Sequence, residues 1–477
     1  MRRLLILLFV VAHHYVMGQG TSMTLMFEPL EPSNDMMWVT QRFEFVKDYT
    51  KTKTSISGGL ETQSAILGNY GGFYAFGFTG GVYQNISPWL LAYMGGSTAS
   101  GGGAGAPDGD GFMYRGYAGM SVKSKYGFVD VADNHINVPS GAITSNHISI
   151  GYTHVLPYRI EYSDHNSYYP TYFELVTGLW FLGPEDASRN SEPVQSAYAG
   201  VRVGQYLNTN RTVGGELQLG AGALGSIDGY MNYSMGLRFN TPSQRLFFRT
   251  HLGSGGGGGV YTGGGISTMV SAGTKLGGHQ FSIGQWTALS DEASIPFVSY
   301  SRHLDFKSSL GFHRYGVDYN YNDSRDVALK VLAGAGQQRS PGLDRNGNPY
   351  NPMSGIAMGL GIEAWSNENY SLDAYGHTFW AASGGYGAYA EGLFSAAFMK
   401  NGETFRYGVD LTSGIAGGGG IDVGSGLMIA PGVQVEGKIG SLSNLKMNLR
   451  QKYFPGGTYN PVYFGVELIQ SLPVHLW

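Results

Sequence analysis

Polar and apolar residues alternate along most of this chain, and that period leaves few folds open. In GYMNYSMGLRF, Met231, Tyr233, Met235, Leu237 and Phe239 take turns with Asn232, Ser234, Gly236 and Arg238. Leu445, Met447, Leu449 and Tyr453 oppose Lys446, Asn448, Arg450 and Lys452, and Val433, Val435 and Ile439 oppose Gln434, Glu436 and Lys438. Successive side chains of a strand point to opposite faces, so each segment reads as a strand with one apolar and one polar face. These segments run about 9–11 residues, the length with which a tilted strand crosses hydrocarbon. A soluble antiparallel sheet alternates in the same way. What tilts the reading towards a membrane is recurrence along nearly the whole chain, with helical periodicity almost absent.

Composition points the same way. Only 13% of the 477 residues are charged, against roughly 25% in an ordinary soluble domain. Residues 1–18, with Arg2 and Arg3 before an apolar run from Leu4 to Ala12 and then Val16-Met17-Gly18, are expected to be a cleaved signal peptide. Loss of the two arginines would take the formal charge from −4 to −6, a mild value that suggests no nucleic-acid partner. There is no Cys, which points to a bacterial envelope and excludes thiol catalysis and thiolate metal sites. No later segment offers about 18 consecutive apolar residues, so a membrane form would have to be a closed barrel.

The chain also repeats itself. GFYAFGFTGGVYQNISPWLLAYMG (72–95), GYMNYSMGLRFNTPSQRLFFRTHLG (229–253) and GLFSAAFMKNGETFRYGVDLTSG (392–414) each read as strand, turn and strand. A glycine-rich element follows each one and ends in G-x-G: Gly109/Gly111, Gly263/Gly265 and Gly424/Gly426. The spacings are 154 residues from Gly109 to Gly263 and 161 from Gly263 to Gly424. A repeat at matched positions is not a linker, and glycines within strand pairs mark bends or close backbone approach. The expectation is an all-β fold: one large antiparallel transmembrane barrel over residues 19–477, with roughly 20–24 strands in three units of about 155 residues. The units fall near 40–157, 158–305 and 306–477, the first truncated at its N-terminus. Longer inserts at Gly183 to Pro193 and at Gln337 to Met353 are expected on one rim. Tyr158, Tyr162, Tyr168, Tyr169 and Tyr172 read as an interfacial girdle.

Motifs for chemistry are weak. Gly432 to Lys438 nearly matches a P-loop, but Ile439 stands where Ser or Thr is needed and the segment alternates as a strand. Asp344, Asn346 and Asn348 have a spacing that could hold Ca2+, as do Asp108 and Asp110, although Asn-Gly is foremost a turn signal. His135, His147, His154, His165, His251, His279, His303 and His377 are scattered, and neither a G-x-S-x-G elbow nor an H-E-x-x-H is present. Neither enzymatic activity nor a cofactor is expected.

Taken together, the leader, the repeated amphipathic strands, the aromatic abundance, the lack of Cys and the last strand YFGVELIQSLPVHLW resemble Gram-negative outer-membrane β-barrel proteins. Phe464, Val466, Leu468 and Leu472 share one face of that strand, which ends on Trp477, while Pro473 interrupts it. The resemblance is one of class and implies location in the outer membrane, contact with its lipid, and recognition of the terminal strand by the barrel-assembly machinery. The leading expectation is a passive, weakly selective pore for small solutes, porin-like, its lumen lined by Arg238, Arg249, Glu436, Lys438, Lys446, Arg450 and Glu467. An alternative is a scaffold or export component for polysaccharide or protein secretion, with an envelope protein as partner. A second alternative is a secreted β-rich surface protein outside the membrane.

Overall fold

In a computed structural model of the chain, the described residues are 20–30, 36–49, 53–125, 127–156, 167–182, 194–224, 229–258, 260, 262–289, 294–308, 317–318, 325–343, 347–440 and 443–476. The leader 1–18 and the insert 183–193 lie outside them. All regular structure among the described residues is strand.

The strands close three times. The first barrel holds β1 (Gly20–Pro29), β2 (Met36–Tyr49), β3 (Thr54–Gly68), β4 (Tyr74–Ser87), β5 (Leu90–Gly102), β6 (Phe112–Lys123), β7 (Gly127–Asn137) and β8 (Thr144–Leu156). The second holds β9 (Ser167–Leu182), β10 (Val194–Tyr206), β11 (Val213–Leu224), β12 (Met231–Asn240), β13 (Leu246–Gly256), β14 (Ile266–Leu276), β15 (His279–Ala288) and β16 (Ser294–Ser308), and it closes because β9 pairs with both β10 and β16. A two-residue strand, β17 (Val317–Asp318), extends the pairing of β9. The third holds β18 (Arg325–Arg339), β19 (Met353–Ser366), β20 (Tyr370–Ala381), β21 (Ala390–Lys400), β22 (Phe405–Gly417), β23 (Leu427–Lys438), β24 (Ser443–Gln451) and β25 (Val462–Leu476). Neighbouring strands are antiparallel throughout.

The all-β class and the threefold repeat are therefore present, but the single large wall expected from the sequence is replaced by three eight-stranded walls. The first unit is complete, because β1 and β2 supply the strands thought to be missing. Alternation tells which face of a strand is apolar, but is silent on whether strand eight continues to strand nine or turns back to strand one.

Each wall is apolar outside and polar within. Ile148, Ile283 and Val409 on the outer faces are 62%, 68% and 59% exposed, while Ser149, Ser282 and Asp410 beside them are buried. The set Met231 to Phe239 faces outward, as the alternation requires, with Asn232, Ser234 and Arg238 buried inside. Tyr172 departs from the girdle expected of it. It points into the second barrel, fully buried, and its hydroxyl donates to Glu216 at 2.7 Å. Tyr158 and Tyr162 lie outside the described residues, as do the side chains of Tyr168 and Tyr169.

Pro473 does not end the last strand. It is paired with Ala328 on β18, while the partners of β25 on β24 stop at Gln470. A residue with a neighbour on one side only can lack its N–H without breaking a ladder.

Candidate functional site

Two places concentrate the unusual residues: the barrel interiors and the junction where the barrels meet. In the second barrel, Arg238 and Arg249 are cross-strand partners on β12 and β13. Both reach Glu174 of β9, at 2.7 and 2.6 Å, and Arg202 binds the other carboxylate oxygen. Glu216 of β11 takes Arg249 at 3.1 Å, His251 at 2.9 Å and the hydroxyl of Tyr172. Gln280 bridges the two arginines, and His303 sits 2.8 Å from Glu174.

The third barrel repeats the scheme with different residues. Lys446 pairs with Glu467, Arg450 with Asp410 at 2.6 Å, and Arg406 with Glu436 at 3.2 Å and Asp373 at 3.0 Å; Lys330 joins Asp373 at 2.8 Å. In the first, Arg115 bridges Glu28 and Glu61, Arg42 lies 4.5 Å over the ring of Tyr117, and Ser57 and Tyr83 donate to Glu44 at 2.6 and 2.9 Å. Charges out of water persist when they are paired, and ion pairs hold most of these groups, although Nε and Nη1 of Arg42, Oε2 of Glu28 and Oε2 of Glu467 are buried without a hydrogen-bond partner.

Of the seven residues expected to line a lumen, six are buried in these networks: Arg238, Arg249, Glu436, Lys446, Arg450 and Glu467. Lys438 is exposed at the end of β23. Sequence reasoning missed their partners Glu174, Glu216, Arg406 and Asp410, although the polar phase of each strand would have pointed to them.

An apolar layer closes one end of each barrel. Trp38, Phe73, Ala106 and Ile136 build it in the first, Trp180, Tyr230, Val260 and Trp286 in the second, and Phe379, Tyr389, Ile421 and Phe454 in the third. Ala106, Val260 and Ile421 come from the three glycine-rich elements, which form the connections between the fifth and sixth strands of each barrel. Three hydrogen bonds fix the equivalence: the N–H of Ala106, Val260 and Ile421 donates to the carbonyl of Gly103, Gly257 and Gly418 respectively. Gly109, Gly263 and Gly424 then share a left-handed φ of 53°, 52° and 58°, and Gly111, Gly265 and Gly426 share 81°, 94° and 77°.

The upstream match needs one shift of register. The carbonyls of Phe73, Tyr230 and Tyr389 accept from Ala65, Gly222 and Ala381, so Gly392 corresponds to Phe76 and Tyr233 rather than to Gly72 and Gly229.

These elements join the barrels. The N–H of Gly71, between β3 and β4, donates to the carbonyl of Gly263 at 2.7 Å, and that of Gly387, between β20 and β21, donates to Gly109 at 3.3 Å. Glycine lies on glycine here: a Cβ on Gly71 would stand 2.4 Å from the nitrogen of Gly265, and one on Gly72 would stand 2.3 Å from that of Gly257. At the remaining junction Gly229 faces Gly417 and Gly418. Ser254 donates to the carbonyl of Ala65 at 2.5 Å and Ser100 to that of Ala381, while Ile415 fills the equivalent place in the third barrel. Trp380 stacks on Phe76 with ring centroids 4.7 Å apart, and Tyr74 donates to the carbonyl of Met231 at 3.1 Å.

Each barrel thus sets its third strand and the following turn against the fifth strand and glycine element of the next, in the order first to second, second to third and third to first. The result is a closed ring with a pseudo-threefold axis.

The candidate calcium ligands are employed otherwise or lie out of view. Asp108 accepts from the N–H of Gly103 at 2.8 Å, and burial pushes its carboxyl above the ordinary range against that bond. Asp110 accepts from the N–H of Gly385 at 2.5 Å, across the junction between the first and third barrels. Asp344 and Asn346 lie outside the described residues.

No family model matches the chain, and no curated protein matches it. Among solved structures it is similar to OprB of Pseudomonas putida, at 9% identity and a TM-score of 0.25, over 64% of this chain and 93% of that one. It is also similar to the siderophore receptor PirA from Pseudomonas aeruginosa, at 11% identity and 0.27, over 95% and 79%. A bacterial polysaccharide outer membrane secretin matches at 7% identity and 0.22, over 94% and 97%.

Proposed function

We propose that the chain is an outer-membrane scaffold: a ring of three filled barrels embedded in lipid, whose purpose lies in the arrangement of the barrels and not in conduction through them. The observation that carries this reading is the inverted distribution of polarity. Large apolar side chains cover the outer walls while ion networks occupy the interiors, the distribution expected where the outer solvent is hydrocarbon.

The passive pore is the weaker reading of the same walls. An eight-stranded barrel has an interior just wide enough for side chains to fill, and here both paired charges and an apolar layer fill it. A scaffold or export role, with an envelope protein as partner, leaves those interiors shut.

The test is conductance of purified protein in a planar bilayer, with folding verified by heat-modifiable gel mobility. The expected result is a folded, inserted protein without steady channels. Stable openings of porin size would overturn the proposal.

A further inference from the structure

The outer wall of the second barrel carries an arginine where hydrocarbon is expected. Strands β15 and β16 pair four outward levels in register: His279 with Arg302, Phe281 with Tyr300, Ile283 with Val298 and Gln285 with Pro296. Arg302 is exposed, and Asp305, three residues on, is engaged by Lys275, His303 and Arg211. Leu304, one level nearer the end of β16, is apolar and 47% exposed, so the cation stands within the apolar wall and not past its edge. A charge that faces hydrocarbon is costly and marks a functional site by default.

The surroundings hold the guanidinium and leave it available. Its Nη1 donates to Nε2 of His279 at 2.9 Å, so His279 carries its proton at Nδ1 and donates to the hydroxyl oxygen of Tyr300 at 2.8 Å. Neither partner supplies a carboxylate, and the O–H of Tyr300 stays beside the cation as a second donor. Gly278 lies against the guanidinium, where a Cβ would stand 2.7 Å from Nη1.

From this cation the wall runs into a groove. The rings of Phe281 and Tyr300 lie 5.4 Å apart. Beyond them Ile283 and Val298 join Phe181, Phe248, Val270 and Ala272 around an open groove of about 600 Å3, within the ~300–1,000 Å3 typical of small-molecule sites. Ala272 pairs with Phe248 on one side and Ile283 on the other, a short side chain between two large ones. The six residues from His279 to Gln285 span about 20 Å along the strand, which at a tilt of about 40° is about 15 Å of depth. That is the reach of one acyl chain, because the ~30 Å hydrocarbon core is two chains deep.

We propose that this face of the second barrel is a binding site for an anionic phospholipid, whose phosphate meets Arg302 and Tyr300 while one acyl chain follows the strip into the groove. Charge complementarity selects the occupant: an uncompensated cation at the head of an apolar groove one chain long fits a lipid with a negative headgroup. A peptide would bring backbone polar groups onto a wall that offers them few partners. The proposal rests on the membrane reading above.

The absence of Cys makes a direct test possible. Leu179→Cys, at the partner of Val298 on β9, places a bimane label beside the groove, and Val409→Cys on the exposed wall of the third barrel is the control. Each protein is reconstituted into vesicles of phosphatidylethanolamine with a minor fraction of phosphatidylglycerol, one lipid or the other being brominated on its acyl chains. A charge-assisted bond to the phosphate corresponds to an enrichment of about tenfold. Brominated phosphatidylglycerol should therefore quench Leu179→Cys far more than Val409→Cys, brominated phosphatidylethanolamine should not favour Leu179→Cys, and Arg302→Gln should remove the difference. Equal quenching by brominated phosphatidylglycerol at both positions would mean an unselective lipid annulus and would overturn the proposal, as would a preference that survives Arg302→Gln. Loss of the preference on adding an equal amount of lipid A would give the groove to that lipid and overturn the choice of phospholipid. Absence of quenching at both positions by both lipids would instead sink the membrane reading. Should Arg302→Gln not fold by gel mobility, Arg302→Met, which keeps an apolar stem without the charge, repeats the measurement.

Discussion

Replacing Gly71 by alanine tests whether the glycine elements exist for close approach of backbones. The added Cβ would stand 2.4 Å from the nitrogen of Gly265, 2.5 Å from the carbonyl oxygen of Gly263 and 2.7 Å from the Cα of Gly265, where ordinary contact begins at 3.4 Å. All three are backbone atoms, which have no rotamer by which to yield. The second barrel would have to retreat by about 1 Å, which takes the 2.7 Å bond from Gly71 to Gly263 outside hydrogen-bonding range. The lost bond costs about 1 kcal/mol and the overpacking about 1–3 kcal/mol. The junction should weaken by about 2–4 kcal/mol, while each barrel keeps its own closure.

The matched control is Gly277→Ala in the turn between β14 and β15, where φ is +62° and no atom would lie within 4 Å of the new Cβ. It carries the conformational cost of roughly 1–2 kcal/mol without any clash. Spin labels at Met120→Cys and Ile283→Cys, on exposed outer faces of the first and second barrels, report the distance between them by double electron–electron resonance. Gly71→Ala should broaden that distribution and Gly277→Ala should not. An unchanged distribution together with an unchanged urea midpoint in Gly71→Ala would refute the close-approach argument.

Three other outcomes follow from the same geometry. Glu174→Gln leaves Arg202, Arg238 and Arg249 around a single remaining carboxylate, so urea unfolding should show a loss of about 3–5 kcal/mol; a loss below about 0.5 kcal/mol, the scale of a neutral surface change, would count against a tightly paired interior. Val435→Lys places a charge on the outward face of β23 and should cost about 2–4 kcal/mol in a bilayer, whereas a protein whose walls face water would fold with it at nearly full yield. Ser254→Ala removes the bond to the carbonyl of Ala65 and should weaken the junction of the first and second barrels by about 1 kcal/mol, read as a lower threshold for broadening in the same spin-label pair, while Ser267→Ala, inside the barrel on β14, leaves that threshold where it was.

Much of the wall was legible from period two alone. The polar phase of β12, β23 and β24 led to Arg238, Glu436, Lys446 and Arg450, and those side chains do turn inward. Tyr172 was misplaced because aromatic residues serve equally at a lipid interface and in a barrel core, and only its phase on β9 separates the two. The carboxylates that receive the arginines were missed for a different reason. Glu174 and Arg249 lie 75 residues apart, and nothing local in either segment refers to the other.

The sequence by itself determined the element type, the inner and outer faces of each strand and the threefold repeat, because all three are properties of local order along the chain. Only the tertiary structure decided that the wall closes after eight strands, since closure depends on which strand the first one meets. It also decided what the glycines are for. A run of glycine states that a backbone must come close to something, and the partner here is the turn between the third and fourth strands of a neighbouring barrel, more than 150 residues away in the chain.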